Sequence, residues 1–245
     1  MTQQQKEYIE NNIYLIESSN WSTFFENIPV DALIGIGTSL YDAGVDFMAE
    51  LKAVPRLSFM ETTLQSVVVP HDVEVLENSC FRSSKNLKHV LLPESLHTIR
   101  FESFSECESL VSVNIPKRLT RLDHSAFYHC SSLRSIDLSC KILAIESKTF
   151  AGCVSLNDVK LPSSLLDIEQ QAFFNCSALE SICIPSSVRH IQKRAFSACT
   201  FLNTITFEGT VAEWDAVTID ISAFQYVPCK TIQCSNGMTR LRHKS

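Results

Sequence analysis

Glycine is scarce in this chain, with six in 245 residues. Nucleotide-binding folds place several glycines at defined turns, and the only suggestive stretch, GIGTSL at 35–40, has Leu40 where a third glycine belongs. Gly35 and Gly37 therefore read as small residues in a helical segment. Long apolar runs are missing too: no stretch of about eighteen apolar residues occurs, so no membrane-spanning helix is expected. There is no cationic excess, since the net charge is −6 and the pI is near 5.6. A nucleic-acid partner would favour a clustered basic surface. The first twenty residues, MTQQQKEYIENNIYLIESSN, lack a basic stretch leading into an apolar run, so no secretory signal is visible. The patterns HExxH, GxSxG, G-x₄-GK[ST] and C-x-x-C are all missing. No catalytic residue, metal ligand or cofactor is expected, and the chain does not read as an enzyme.

What the sequence does contain is a strict period. Phe81, Phe104, Phe127, Phe150, Phe173 and Phe196 lie 23 residues apart. With phenylalanine as position 1, position 7 is leucine from Leu64 through Leu202, and position 10 is Val67, Val90, Val113, Ile136, Val159, Ile182 and Ile205. Position 12 is apolar from Val69 to Phe207, and position 13 is proline at Pro70, Pro93, Pro116, Pro162 and Pro185. Positions 16 and 19 are apolar as well, with Val211 and Trp214 as their last members.

Self-similarity at this period is the signature of a solenoid, in which one repeat cannot bury its own apolar face and stacked copies can. The alternation at positions 10 and 12 has the period of a strand. Proline stops that strand because it offers no N–H to the ladder. The expectation is a parallel stack of short strands about 4.8 Å apart, with positions 16, 19 and 1 turning the chain around the far side. Small residues at position 23 (Ala126, Ala172, Ala195) leave room for the neighbouring ring.

Ten cysteines invite a chemical reading. Five of them, Cys107, Cys130, Cys153, Cys176 and Cys199, hold position 4, with Ser84 one repeat earlier. Parallel side chains about 4.8 Å apart suit neither a disulfide, which wants Cβ atoms turned toward each other, nor tetrahedral zinc. Buried small hydrophobes are the expectation for this column. Cys80 falls at the small-residue position and is expected to be buried. Cys183, at position 11, is expected to face outward as an exposed thiol, and Cys140 follows a proline position. A local pair between Cys229 and Cys234 stays open. The histidines His71, His89, His97, His124, His129 and His190 occupy six different repeat positions, whereas a site built by repetition would hold one column.

The unit F-x-x-C-x-x-L-x-x-[VI]-x-[LIV]-P-x-x-[LV]-x-x-[LI]-x-x-x-[AST]-F resembles the BspA-like, or Treponema-type, leucine-rich repeat. The endings FEGTVAEWDAV and TIQCSNG are also similar to the C-terminal close of bacterial members. The resemblance covers residues 58–218. It implies an α/β solenoid: a right-handed leucine-rich-repeat coil with a parallel sheet of short strands on one face and short irregular or helical segments opposite. It further implies a binding role, commonly at microbial surfaces in adhesion or host contact, and brings no catalytic residues.

Three segments follow. Residues 1–57 lack the repeat, carry apolar residues at helical spacing (Ile9, Ile13, Ile16, Trp21, Phe24, Phe25), and read as a helical N-terminal cap, with a further short helix from Val45 to Leu51. Residues 58–218 hold seven repeats. Residues 219–245 form a C-terminal cap and tail, with Thr210 and Glu213 poised as a capping box for a helix that lays Trp214 over the last repeat, and with RLRHKS as a frayed basic end. Function in a solenoid resides on the concave strand face. The outward positions 9 and 11 are Ser66 and Val68, His89 and Leu91, Ser112 and Asn114, Ser135 and Asp137, Asp158 and Lys160, Ser181 and Cys183, and Thr204 and Thr206. The expected activity is non-enzymatic binding of a protein or glycan through this strip, without nucleic acid. The alternative is a structural scaffold whose helical N-terminal segment binds the partner. Without a visible export signal the chain reads as cytoplasmic by default, while the resemblance implies a cell surface.

Overall fold

A computed structural model describes residues 52–54 and 56–241. Of the expected helical cap over residues 1–57, residues 1–51, including the short helix at 45–51, and residue 55 lie outside the described residues, and so do residues 242–245; the described part, residues 52–54 and 56–57, holds no helix.

The chain is wound into about eight coils with two strand ladders. The front ladder uses positions 9 to 12 of each repeat: β2 (Ser66–Val68), β4 (His89–Leu91), β6 (Ser112–Val113), β8 (Ser135–Asp137), β10 (Asp158–Lys160), β12 (Ser181–Ile184), β14 (Thr204–Phe207) and β16 (Thr231–Cys234). Its pairing is parallel and in register every 23 residues, as in Ser66↔His89 and Ser181↔Thr204. Hydrogen bonding divides it into β2–β4–β6, β8–β10 and β12–β14–β16. Each proline at position 13 ends its strand, and its carbonyl then accepts from the N–H three residues on, as Pro93 does from Leu96 at 3.1 Å. The proline that stops the strand thus also starts the turn.

The second ladder corrects one expectation. Opposite the front strands lie further strands of two residues each, not helical segments. They are β1 (Ala53–Val54), β3 (Val75–Leu76), β5 (Thr98–Ile99), β7 (Arg121–Leu122), β9 (Ala144–Ile145), β11 (Asp167–Ile168), β13 (His190–Ile191) and β15 (Thr218–Ile219). They pair in parallel as β1–β3–β5–β7 and β9–β11–β13–β15. Two residues are too short to show a period, so only the stack reveals them. β1 also shows that the coil starts before residue 58, because Ala53 pairs with Val75.

Between the ladders the chain turns around the phenylalanine of position 1. The residues two before and two after each ring from Phe59 to Phe196 have positive φ, for example Glu102 and Glu106 around Phe104, and Gln171 and Asn175 around Phe173; at Phe224 only Tyr226, two after, does. Fourteen of these left-handed residues among those described are not glycine. Each costs on the order of 1 kcal/mol of local strain, which the inter-coil bonds offset: Phe81 N–H donates to Ser103 at 2.9 Å, and Ser83 N–H to Ser105 at 2.8 Å. The two left-handed residues turn alternate N–H groups toward the next coil, so this irregular segment is a third ladder.

The rings themselves stack without interruption from Phe59 through Phe81, Phe104, Phe127, Phe150, Phe173 and Phe196 to Phe224, with centroids 5.0–5.5 Å apart. The period slips at both ends, to 22 before Phe81 and to 28 before Phe224. The longer step accommodates α1 (Val211–Ala216), whose capping box joins Thr210 and Glu213 as expected. Trp214 is buried and packs edge-on against Phe207 at 5.1 Å. Val211 and Trp214 therefore do not close the columns of positions 16 and 19. Val188 and Ile191 are their last regular members, and Ile219 on β15 takes the next place, paired with Ile191. Of the expected frayed end RLRHKS only Arg240 and Leu241 are among the described residues. β17 (Gly237–Arg240) folds back antiparallel on β16, and Leu241 is buried.

Candidate functional site

The front strip is built by the alternation of each strand. Inward residues at positions 10 and 12 bury into a continuous core, which turns positions 9 and 11 outward. All fourteen outward residues lie on the strand surface. Ser66 and Thr206 are half-buried, and the other twelve are exposed. Adjacent coils bring them into two columns. One is largely hydroxylic (Ser66, Ser112, Ser135, Ser181, Thr204, then Thr231), with His89 and Asp158 between. The other is mixed, running from Val68 and Leu91 to Asp137, Lys160 and Cys183.

The columns are not uniform in what they leave free. Val68 and Leu91 face each other across β2 and β4 and are 51% and 55% exposed. They form an apolar step at one end of the strip. Asn114 is occupied by the fold: its Nδ2 donates to the Leu92 carbonyl at 2.8 Å, and its Oδ1 accepts from the Leu92 N–H at 2.7 Å. That side chain replaces a ladder pair between the β4 and β6 coils, just past the end of β6 at Val113. Thr206 likewise donates to the Ile182 carbonyl at 3.4 Å. Asp137 accepts from the Ser139 N–H at 2.8 Å and meets Lys160 at 3.5 Å across the ladder. Hydrogen bonds from Ser139, with Lys160 beside them, hold its carboxyl below the usual range. Cys183 is exposed, with its Sγ 3.8 Å from Glu208 Oε1.

The other nine cysteines are buried, and all ten are free thiols, Cys229 and Cys234 included. The position-4 column does more than fill space. Each Sγ–H donates to the carbonyl of the phenylalanine on the preceding coil: Cys107 to Phe81 at 3.0 Å, Cys130 to Phe104 at 3.1 Å, Cys153 to Phe127 at 3.2 Å, Cys176 to Phe150 at 3.2 Å and Cys199 to Phe173 at 3.1 Å. Ser84 makes the same bond to Phe59 at 2.8 Å. A small side chain with one donor is what the site requires, and the serine in the column was the sequence signal for it. Burial pushes the Cys107, Cys153 and Cys199 thiols up to about 12, and Cys80, Cys130 and Cys176 move in the same direction for the same reason.

The described histidines are dispersed among the coils and paired with carboxylates in three places: His71 with Asp72, His97 with Glu74 and His190 with Asp167. Among the described residues no group of three or more His, Cys, Asp or Glu is placed to hold a metal ion. No described helix is long and apolar enough to cross a membrane.

These features define a class: a parallel β-solenoid repeat protein with a mixed, largely polar outward strand face. The model of the BspA type leucine rich repeat region matches six copies over residues 52–147 and 133–245, and the chain belongs to that family. Among solved structures it is similar to a leucine rich cell surface protein from Faecalibacterium prausnitzii A2-165, with 33% identity and a TM-score of 0.55. That match covers 59% of this chain and 39% of the other, so the chain spans well under half of that relative. A leucine rich repeat protein from T. pallidum is 27% identical with a TM-score of 0.60, covering 67% of this chain and 78% of that one. One from Bacteroides ovatus, 20% identical with a TM-score of 0.54 over 68% of this chain and 54% of that one, shares the fold. A search of curated proteins found no match.

Proposed function

We propose that the chain is a non-enzymatic binding module that engages a protein or glycan partner through the outward columns of the front ladder, in adhesion or host contact. The observation that carries this reading is the strip itself. Side chains from successive coils stand at a fixed spacing on a rigid scaffold, and several hydroxyls in it (Ser112, Ser135, Ser181 and Thr204) are exposed and not spent on holding the fold. A rigid array loses little conformational entropy on binding, which lets individually weak contacts add. The apolar step at Val68 and Leu91 supplies desolvation, and the Asp137–Lys160 pair supplies orientation. The likeness to a cell surface protein agrees with contact outside the cell.

The test is binding of the full chain to arrays of glycans and of extracellular-matrix and surface proteins. A Leu91→Asp/Lys160→Glu variant is run in parallel. Loss of a wild-type signal in the variant, at an unchanged melting temperature, is the expected outcome. A partner held equally well by both would refute the front face as the site. Retention by residues 1–57 expressed alone would favour the scaffold reading instead.

A further inference from the structure

A second surface, on the turns that lead into the back ladder, departs from the rules the other coils obey. At position 15 the usual residue is serine. Ser95, Ser164 and Ser187 each donate to backbone carbonyls of the preceding coil, at 2.7 Å to Val73, 2.8 Å to Ile142 and 2.7 Å to Leu165. Two consecutive coils give up that bond and carry cations there, Arg118 and Lys141, with Lys117 alongside. All three are exposed, and among the described residues none has an ion pair or a side-chain hydrogen bond. Elsewhere many cations sit against acids, as in Lys52–Glu74 at 3.2 Å, Arg82–Glu102 at 2.6 Å and Lys85–Glu108 at 3.0 Å.

The same corner departs at position 17. Other coils place Glu74, His97, Thr120 or Arg189 there, whereas Leu143 and Leu166 stand on adjacent coils, 56% and 38% exposed. Their backbones are joined by a 2.8 Å bond from the Leu166 N–H to the Leu143 carbonyl. Unpaired cations beside paired exposed leucines fit an occupant that is both acidic and apolar.

The chain supplies one. Residues 1–51 hold eight Asp or Glu and one Lys, a net −7, so residues 52–245, with twenty basic and nineteen acidic residues, carry +1. The whole negative balance of the protein lies in that segment, along with Ile9, Ile13, Ile16, Trp21, Phe24 and Phe25. It joins the coil at Lys52, directly before β1, and β1 is the end strand of the back ladder. Arg121 on β7 is three rungs away, about 14 Å at 4.8 Å per rung. Fifty-one residues can span roughly 170 Å when extended, so reach is not limiting, and tethering raises the local concentration to about the millimolar range.

We propose that residues 1–51 dock within the same molecule onto the back-ladder corner formed by Lys117, Arg118, Lys141, Leu143 and Leu166. None of these five residues belongs to the outward columns of the front strip, so the contact is distinct from the binding site proposed above.

Zero-length carbodiimide cross-linking of the full chain, read by mass spectrometry, tests the contact. Lys117 or Lys141 joined to an acid between Glu7 and Glu50, in monomeric protein, is the expected product. In hydrogen exchange, a Lys117→Glu/Arg118→Glu/Lys141→Glu variant should raise exchange in residues 1–51 roughly tenfold, the combined worth of three surface charge pairs. Leu143→Ser/Leu166→Ser should act in the same direction. Cross-links confined to other lysines would overturn the proposal, as would exchange in residues 1–51 that the charge reversal leaves unmoved at a wild-type melting temperature. Mixed ¹⁴N and ¹⁵N chains cover the remaining case: cross-links joining only different isotopes would show docking between copies and reject the intramolecular form.

Discussion

Replacing Phe127 by alanine is the sharpest test of how the coils hold together. The ring is fully buried, with Phe104 at 5.2 Å on one side and Phe150 at 5.5 Å on the other. Deleting a buried phenylalanine costs about 3–5 kcal/mol through lost transfer energy and the cavity left behind. Each stacked pair adds about 0.5–1.5 kcal/mol beyond area. Phe224 is equally buried but has a single ring neighbour among the described residues, Phe196 at 5.2 Å. Phe224→Ala should therefore cost less than Phe127→Ala by about one stacking increment, 0.5–1.5 kcal/mol. In a solenoid each coil is stabilised by its neighbours, so a weakened central contact should also lower cooperativity and with it the apparent m-value. The assay is urea unfolding followed by far-UV circular dichroism, with Phe127→Leu, which keeps most of the volume but loses both stacked pairs, expected to cost about 1–3 kcal/mol. A loss below about 1 kcal/mol for Phe127→Ala, or equal losses at the two positions, would refute the continuous stack as the source of coil-to-coil stability.

Other consequences follow from the thiol column, the clamp and the one glycine turn. In native protein at pH 8 a thiol-specific label should modify Cys183 rapidly and the position-4 cysteines only on unfolding; fast labelling of Cys176 would contradict the register. The buried thiols also set an alkaline limit. Their folded pKa rises from the ordinary 9.0 to about 12, so the unfolded chain loses protons first. Stability is fully present below pH 9 and falls between pH 9 and 12, by up to about 1.4 kcal/mol per pH unit for each thiol; denaturant melts at pH 8, 9.5 and 10.5 check this. Cys130→Ser should be better tolerated than Cys130→Val, which removes one of the two donors to the Phe104 carbonyl and leaves the Cys107 N–H at 3.2 Å; a loss of about 1 kcal/mol is expected for the valine, as compared by thermal melts. Asn114→Ala should cost a similar amount by stranding the Leu92 N–H and carbonyl, and a wild-type melt would show that water replaces the clamp. Gly152→Ala places a Cβ 3.0 Å from the His129 ring at φ +79. About 1 kcal/mol of loss is expected from the left-handed backbone, and any part recovered in His129→Ala/Gly152→Ala measures the clash.

Much of this fold can be read from the columns. Leu133 and Ile136 recur at a fixed interval with polar residues between them, and that alone dictates which faces of the front strands are buried. The exposure of the twelve outward residues follows directly from alternation, because a strand that buries position 10 must turn 9 and 11 away. The cysteine column was legible as packing, whereas its donor role came only with the bonds to the preceding coil. The back-ladder corner escaped the columns because Arg118, Lys141, Leu143 and Leu166 are departures from a pattern, and departures acquire meaning only when their neighbours are known.

What the sequence determines by itself is the period, the buried columns and the outward strip, since these depend on spacing along one chain. The tertiary structure decides what depends on contact between coils. Two-residue strands such as Asp167–Ile168 have no internal periodicity and exist as strands only through their partners. The left-handed residues around each ring are held by bonds to the next coil rather than by local preference. Phe224 joins the stack despite a 28-residue step, because α1 absorbs the extra length. Asn114 looks like any outward residue until its bonds to Leu92 are seen. In each case the deciding interaction joins residues 22 to 28 positions apart, a distance along the chain that only stacking turns into contact.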